Sequence, residues 1–485
     1  MERRAGELRV VTRRLLADGL TPVAAFSALV GEASGGFIFE SVDQQGSWSR
    51  FSIVGRNPLA RIALSGGEIA IDGWVPLLPE PGEGLFAYLE RMVPALGTVN
   101  LGELPFASGL VGYVGYDTVR EIEPSVPLTV VDDTGFPDAV LYLAGEVVVF
   151  DHWTQSVTLI VSRLGPGADR EAEERLDSLA GALAAPERLG CSAWPELAGG
   201  EEVDLLGTEF IPGYRERVVT GKSHIMEGDI FQVVLGHRFD FPLQAARLDV
   251  YRALRITNPS PYMYLIQDDA VSVIGSSPEA LVTVAGSRVM TRPIAGTSPR
   301  GHDLLEDEEI SARLLEDPKE LAEHVMLVDL ARNDLGKVSS FGSCEVVERM
   351  VPERFARVIH LTSTVVGDLR EGVSLIEVLR ATLPAGTLSG APKVRAMQII
   401  DELEETKRSV YGGVVGYIGA NGSMDFAIAI RTIVVGNDGM AHLQVGAGIV
   451  ADSDPESEAR ECVAKASAVA RAVIVARSLR QGQLR

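Results

Sequence analysis

Asp317-Pro318 and Asp454-Pro455 each open an expected helix, and this matched pair constrains the fold more than any other feature of the sequence. Aspartate can cap a helix, and proline fits the first turn, where no amide hydrogen is needed. In the first segment Glu320 follows three residues after the cap, as in a capping box, and the helix is expected to run to about Asn333 and stop near Gly336. Glu320, Glu323 and His324 then lie at spacings that share a face. In the second segment Glu458, Glu461 and Lys465 repeat the device. A fold that packs the two helices together gathers carboxylate oxygens of the kind a hard divalent cation such as Mg²⁺ needs. Kept apart, the same glutamates are solvated first-turn acids that complement the helix dipole. The spacing alone leaves both readings open.

With 485 residues, two domains or a domain with a large core unit are expected. The net charge of −23 argues against nucleic acid and anionic membrane surfaces as partners. No apolar run approaches the roughly 18 residues of a membrane helix. Residues 1–20 carry arginines but no apolar signal core, and read as an amphipathic first helix. Cys191, Cys344 and Cys462 are too scattered for a metal site or a disulfide framework, so a cytoplasmic location is expected.

Residues 37–74 read as β structure. FIFES at 37–41 and RFSIVG at 50–55 are short apolar runs, and RIALSGGEIAIDG alternates around Gly66-Gly67 like a hairpin. A glycine-bearing strand is expected within 105–117, with further strands at 139–150 and 156–163. Composition then shifts over 165–205 to Gly, Pro, Ala and acidic residues around a helix near 169–184, which marks a domain boundary.

The second half opens with a helix at about 211–227 leading into GDIFQVVLGHRF. Residues 279–293 form a hairpin turning at Gly286-Ser287, which places Glu279 and PIAGT (293–297) at its open end. LPAGTLSGAPK at 383–393 precedes a helix. Its free amides, with the hydroxyls of Thr387 and Ser389, suit an anion, and an ordinary capped helix gives the same pattern. MDFAIAIRTIVV at 424–435 alternates with period two and puts Arg431 on the face of Ala427 and Ala429. A guanidinium among small side chains suits a bound carboxylate; an edge strand with a snorkelling arginine is the alternative. No Walker loop, dinucleotide fingerprint or H-E-x-x-H is present. No cysteine sits in a nucleophile-like turn, so the chain is not expected to hydrolyse glutamine itself.

GDIFQVVL, GSSPE, PIAGT, DPKELAEH, VRAMQII, YGGVVGYIG, AIAIRT, GAGIV and DSDPESE, in that order, resemble the chorismate-utilising enzymes, and among them the large subunits of anthranilate synthases. The resemblance covers nearly the whole chain. It implies an α+β fold, a β-sandwich of packed antiparallel sheets with outer helices, in a two-domain chain. An N-terminal regulatory domain would occupy 1–200 and a chorismate-binding catalytic domain 205–485.

The resemblance implies Mg²⁺ on Glu323 and Glu461, with Glu320 and Glu458 beside them. Chorismate contacts transfer to Gly296, Thr297, Tyr411, Arg431, Gly446, Ala447, Gly448 and Lys465. Glu279 resembles the acid that protonates the departing C4 hydroxyl, and His360 the residue assisting pyruvate elimination, with Thr387 nearby. The implied activity joins chorismate and ammonia, the ammonia coming from a separate glutamine amidotransferase subunit, to give anthranilate and pyruvate. Relatives that add water carry lysine at the position of Gln232, and relatives making 4-amino-4-deoxychorismate usually carry lysine where this chain has Ala295. Glu40, Ser41, Pro261, Tyr262 and Met263 match the family's pocket for tryptophan as feedback inhibitor. Two alternatives are an enzyme that stops at aminodeoxyisochorismate and a catalytically silent tryptophan-binding partner protein. The retained Glu279, Glu323, His360 and Glu461 argue against the second.

Overall fold

The short apolar runs pair into two antiparallel sheets in the computed structural model, which describes residues 8–41, 50–164, 169–184, 213–355 and 358–479. Along the first sheet the strands are Leu8–Leu16, Ser156–Leu164, Glu146–Asp151, Phe51–Arg56, Gly36–Glu40 and Tyr262–Gln267. It continues through Val271–Ser277, Thr432–Gly436, Met440–Ile449, Gln232–Pro242 and Gly390–Ala391. The second sheet runs Ile294–Pro299, Val358–Asp368, Arg288–Thr291, Ala280–Ala285 and Met424–Ile428. Val414–Gly419, Gly109–Val114, Ala139–Leu143, Ala60–Ser65 and Glu68–Gly73 complete it, and Glu345–Arg354 pairs with Val358–Asp368 off this path.

Side chains from both sheets, among them Phe37, Ile53, Tyr113, Tyr142, Tyr264 and Val415, fill the space between them. Helices cover the outer faces. Pro22–Leu29, Arg247–Thr257 and Pro455–Leu479 bury Phe26, Tyr251 and Val473 against the first sheet. Leu85–Ala95, Pro318–Gly336 and Leu375–Thr382 bury Leu89, Leu335 and Leu379 against the second. This is the α+β sandwich with outer helices. Each sheet is continuous across both halves of the chain: Glu40 pairs with Met263 in the first, and Gly112 with Gly416 in the second. Of the boundary stretch 165–205 only the helix Asp169–Ala184 is described; Cys191 lies outside the described residues. Among the described residues no helix is long and apolar enough to cross a membrane.

Three expectations change. The expected N-terminal helix is instead the strand Leu8–Leu16, paired along its length with Ser156–Leu164. Val10, Val11 and Thr12 favour a strand, and Arg13 reaches Glu173 and Asp177 of the neighbouring helix. The apolar stretch at 139–150 is two strands in different sheets, which part at Ala144-Gly145. There a Cβ on Gly145 would stand 1.9 Å from the Asn57 carbonyl, so only glycine allows the corner. MDFAIAIRTIVV is likewise not one strand. Met424–Ile428 belongs to the second sheet and Thr432–Gly436 to the first, and Arg431 occupies the crossing at φ +50. Both arms are buried, so the apolar pattern gives no sign of the break.

Candidate active site

Two neighbouring strands cross between the sheets at the same place. Val271–Ser277 passes into Ala280–Ala285 through Glu279, and its partner Met424–Ile428 passes into Thr432–Gly436 through Arg431. Neither corner residue is on a regular strand face. Glu279 is fixed by its own backbone, whose carbonyl accepts from the Ile428 amide at 3.0 Å. Its carboxylate Oε1 accepts from Thr387 Oγ1 at 3.1 Å, and the Ile294 amide adds a second bond. Burial outweighs both and pushes the carboxyl up to about 8, so Glu279 holds its proton at neutral pH. The half-buried Arg431 guanidinium makes no ion pair among the described residues; burial lowers its pKa, and Glu279 partly offsets this.

His360 comes from the strand Val358–Asp368, opposite Thr297. Its Nδ1 lies 3.0 Å from Thr297 Oγ1 and 3.3 Å from the Gly296 carbonyl. A carbonyl can only accept, so Nδ1 carries the proton and the buried, unpartnered Nε2 is left as a base. Burial, with Arg431 and Lys465 nearby, lowers its pKa to about 4. Gly296 sits at a register shift with φ +65, where a Cβ would come within 3.3 Å of Glu320 Oε2. The expected hairpin thus does bring Glu279 to the PIAGT segment.

The two Asp-Pro helices cover different sheets, and what links their first turns is charge acting between Glu320 and Glu461. Asp317 caps Pro318–Gly336 through the Lys319 and Glu320 amides. Burial, then the charges of Glu323 and Asp317, raises the Glu320 pKa, and Glu461 of the other helix adds to it. Glu458 is raised by burial and by Glu461. Glu461 itself is exposed and bonded at 2.7 Å to Lys465, whose ammonium also reaches the Gly446 carbonyl at 2.9 Å. These mutually repelling carboxylates fit a divalent cation, which would relieve the repulsion with hard oxygen donors. No three of them close to within 4.8 Å. Among the described residues only His224, Glu227 and Asp229 do so, and Asp229 is held by His224 and Arg395. His324 does not join the glutamates: it is buried, with Nε2 2.6 Å from Ser363 Oγ.

Gln232 lies flat against the glycine strand Met440–Ile449. Its Nε2 donates to Glu323 at 3.2 Å, and a Cβ on Gly448 would stand 2.5 Å from that nitrogen. Its Oε1 is buried without a partner. Gly446 likewise makes room for the Tyr411 hydroxyl, 2.7 Å from where a Cβ would be. The alternation of the strand turns the Ala447 side chain the other way, into the helix-side core. Ser389 is not a free donor either: its hydroxyl is spent on the Ala385 carbonyl, and Thr387 goes to Glu279.

Glu40, Ser41, Pro261, Tyr262 and Met263 all line a separate cavity of about 160 Å³, between the sheets on the seam of the two chain halves. Glu40 accepts from Tyr251 at 2.7 Å and pairs with Arg255, while Ser41 Oγ is buried without a partner. Sequence reasoning missed Asp425 here. It accepts from Tyr262 and Thr283, and burial lifts it to about 6. Its one signal was an aspartate within an otherwise apolar strand.

A family model described as chorismate binding enzyme matches residues 44–471. The chain is 44% identical over 473 residues to an anthranilate synthase component 1 of Streptomyces coelicolor, covering 95% of this chain and 88% of that one. The crystal structure of an anthranilate synthase component I from Streptococcus pneumoniae superposes with TM-score 0.76 at 36% identity, covering 94% of this chain and 99% of that one. A menaquinone-specific isochorismate synthase of Escherichia coli shares the fold, with TM-score 0.71 at 18% identity over 96% of this chain and 95% of its own.

Proposed function

The chain belongs to the chorismate binding enzymes, and on that premise we infer that it is the chorismate-converting component of an anthranilate synthase, making anthranilate and pyruvate from chorismate and ammonia. The observation that carries the reading is the meeting of Glu279, Arg431 and His360: an acid that keeps its proton, a cation without an ion pair, and a neutral base.

Arg431 pairs with a substrate carboxylate, for which its fork is shaped. Glu279 delivers its proton to the C4 hydroxyl, which departs as water. Gln232 turns its unpartnered Oε1 toward the incoming nucleophile and accepts an N–H from ammonia as it attacks ring carbon 2. An amide cannot deprotonate water, and Ala295 offers no amine, so ammonia is the nucleophile. His360 Nε2 then takes the C2 proton, and enolpyruvate leaves as pyruvate with aromatisation of the ring. Mg²⁺ held by Glu323 and Glu461, with Glu320 and Glu458 beside them, supplies a Lewis acid for the ring carboxylate when bound.

A separate glutamine amidotransferase subunit supplies the ammonia. Neither described cysteine is a ready nucleophile: burial raises the Cys344 pKa, and Cys462, bonded to Tyr214, is pushed up to about 11. For tryptophan the seam cavity offers an apolar wall, the free Ser41 hydroxyl and the Asp425 carboxylate for an ammonium. Bound there, it touches both chain halves and inhibits by favouring a less active arrangement. The protein works in the cytoplasm. The nucleophile is tested by incubating chorismate and Mg²⁺ with and without ammonium. Chorismate should be consumed only with ammonium; isochorismate formed without it rejects the reading.

A further inference from the structure

A second cavity, of about 40 Å³, extends from Glu279 to Asp334. Its wall includes Thr291, Thr382 and Thr387, with Leu330 and Ala331 of the helix Pro318–Gly336. At roughly 15 Å³ per water, the space holds more than one water molecule. Its polar lining can anchor them. The Thr291 and Thr382 hydroxyls donate to main-chain carbonyls, which leaves their oxygens as acceptors.

Asp334 at the far end is buried between two lysines. Oδ2 accepts from Lys393 at 2.6 Å, whose side chain is 15% exposed, and Oδ1 from Lys337 at 3.0 Å, whose side chain is 52% exposed. Lys393 holds the carboxylate in place from inside, and burial lowers its pKa, with Glu123 the other acid acting on it. Lys337 carries the other oxygen to solvent. Facing Glu279 at the near end are Thr387, the Ile294 amide and Arg431. A buried ion pair is costly and a weak source of stability. Here it opens onto the cavity of a buried acid.

We propose that this cavity reloads the acid: protons pass from solvent beside the Lys337–Asp334 pair through cavity water to the Glu279 carboxylate between turnovers. The idea rests on the reading of Glu279 as the acid. Each amination removes one proton from Glu279, which leaves in water with the C4 oxygen. The nitrogen that has bonded to C2 sheds its surplus proton to solvent. One proton enters from solvent beside the Lys337–Asp334 pair and passes along cavity water to Glu279. Charge and protons balance over the cycle.

The resting enzyme already holds the proton, so the route matters only after the first turnover. Ala331→Leu fills the cavity without touching a titratable group, and Lys337→Gln removes the solvent end. With chorismate, ammonium and Mg²⁺, rapid-quench measurement should give a first turnover within twofold of wild type in both. Steady-state kcat should fall about tenfold, with a larger solvent deuterium isotope effect and unchanged KM for chorismate. First and later turnovers slowed equally, or wild-type steady state in both variants, overturns the route. Glu279→Gln measured alongside separates the two claims: if it still aminates chorismate, the acid assignment falls and the route with it. If it is inactive while both cavity variants behave as wild type, only the route falls.

Discussion

Replacing Thr387 with valine should make Glu279 a weaker acid and move the alkaline limb of the reaction upward. The hydroxyl donates to Glu279 Oε1 at 3.1 Å and favours the ionised carboxyl, against a burial effect that lifts it to about 8. Hydrogen bonds to charged groups contribute about 1.5–3 kcal/mol, and one pKa unit is about 1.4 kcal/mol. The protonated form also uses the Thr387 hydroxyl, so the low end applies, and the shift is about one unit. The sign follows from the role. An acid must be protonated, so wild-type activity is lost as pH rises through about 8, and in Thr387→Val through roughly 9. The plateau rate should fall several-fold, because a weaker acid transfers its proton less readily. The assay is kcat/KM for chorismate against pH, with free ammonia held constant so that ammonium titration does not distort the limb. A limb that stays in place or moves down in the variant refutes the assignment of Glu279 as proton donor.

Other outcomes follow from the same geometry. Glu323→Gln or Glu461→Gln should reduce activity by orders of magnitude and weaken the Mg²⁺ response, because a charged oxygen ligand is lost; wild-type Mg²⁺ titrations in both would return these glutamates to solvated helix faces. His360→Met should consume chorismate and accumulate aminodeoxyisochorismate, since only the second step needs the unpartnered Nε2, and product chromatography distinguishes this from equal loss of both steps. Ser41→Ala removes one hydroxyl from the seam cavity, worth about 1 kcal/mol, so tryptophan inhibition should weaken roughly five-fold with the uninhibited rate unchanged. Superimposable inhibition curves would take tryptophan out of that cavity.

Much of the site was legible because its parts are local. The Asp-Pro caps fix helix starts, the spacing of Glu320 and Glu323 fixes a face, and the turn at Gly286 sets which residues meet at the open end of its hairpin. The five tryptophan-motif residues, far apart in sequence, do line one cavity. What stayed hidden depends on where strands change sheets. Arg431 looked like one position on a long alternating strand, yet it turns a corner at φ +50, and the corner points it toward Glu279 and His360. An alternating pattern carries no mark of such a crossing when both arms are buried. Leu8–Leu16 was hidden differently: it is a strand because Ser156–Leu164 offers it an edge, which its own arginines do not announce. Asp334 and Asp425 gave almost no local signal, because their roles come from cavities that only tertiary packing creates.

The most direct measurement is full product analysis of the purified chain with chorismate, Mg²⁺ and ammonium, and separately with glutamine in place of ammonium. The account predicts anthranilate and pyruvate in equal amounts with ammonium, and no turnover with glutamine alone. Isochorismate, 4-amino-4-deoxychorismate or aminodeoxyisochorismate as the end product, or turnover on glutamine without a partner, would contradict it.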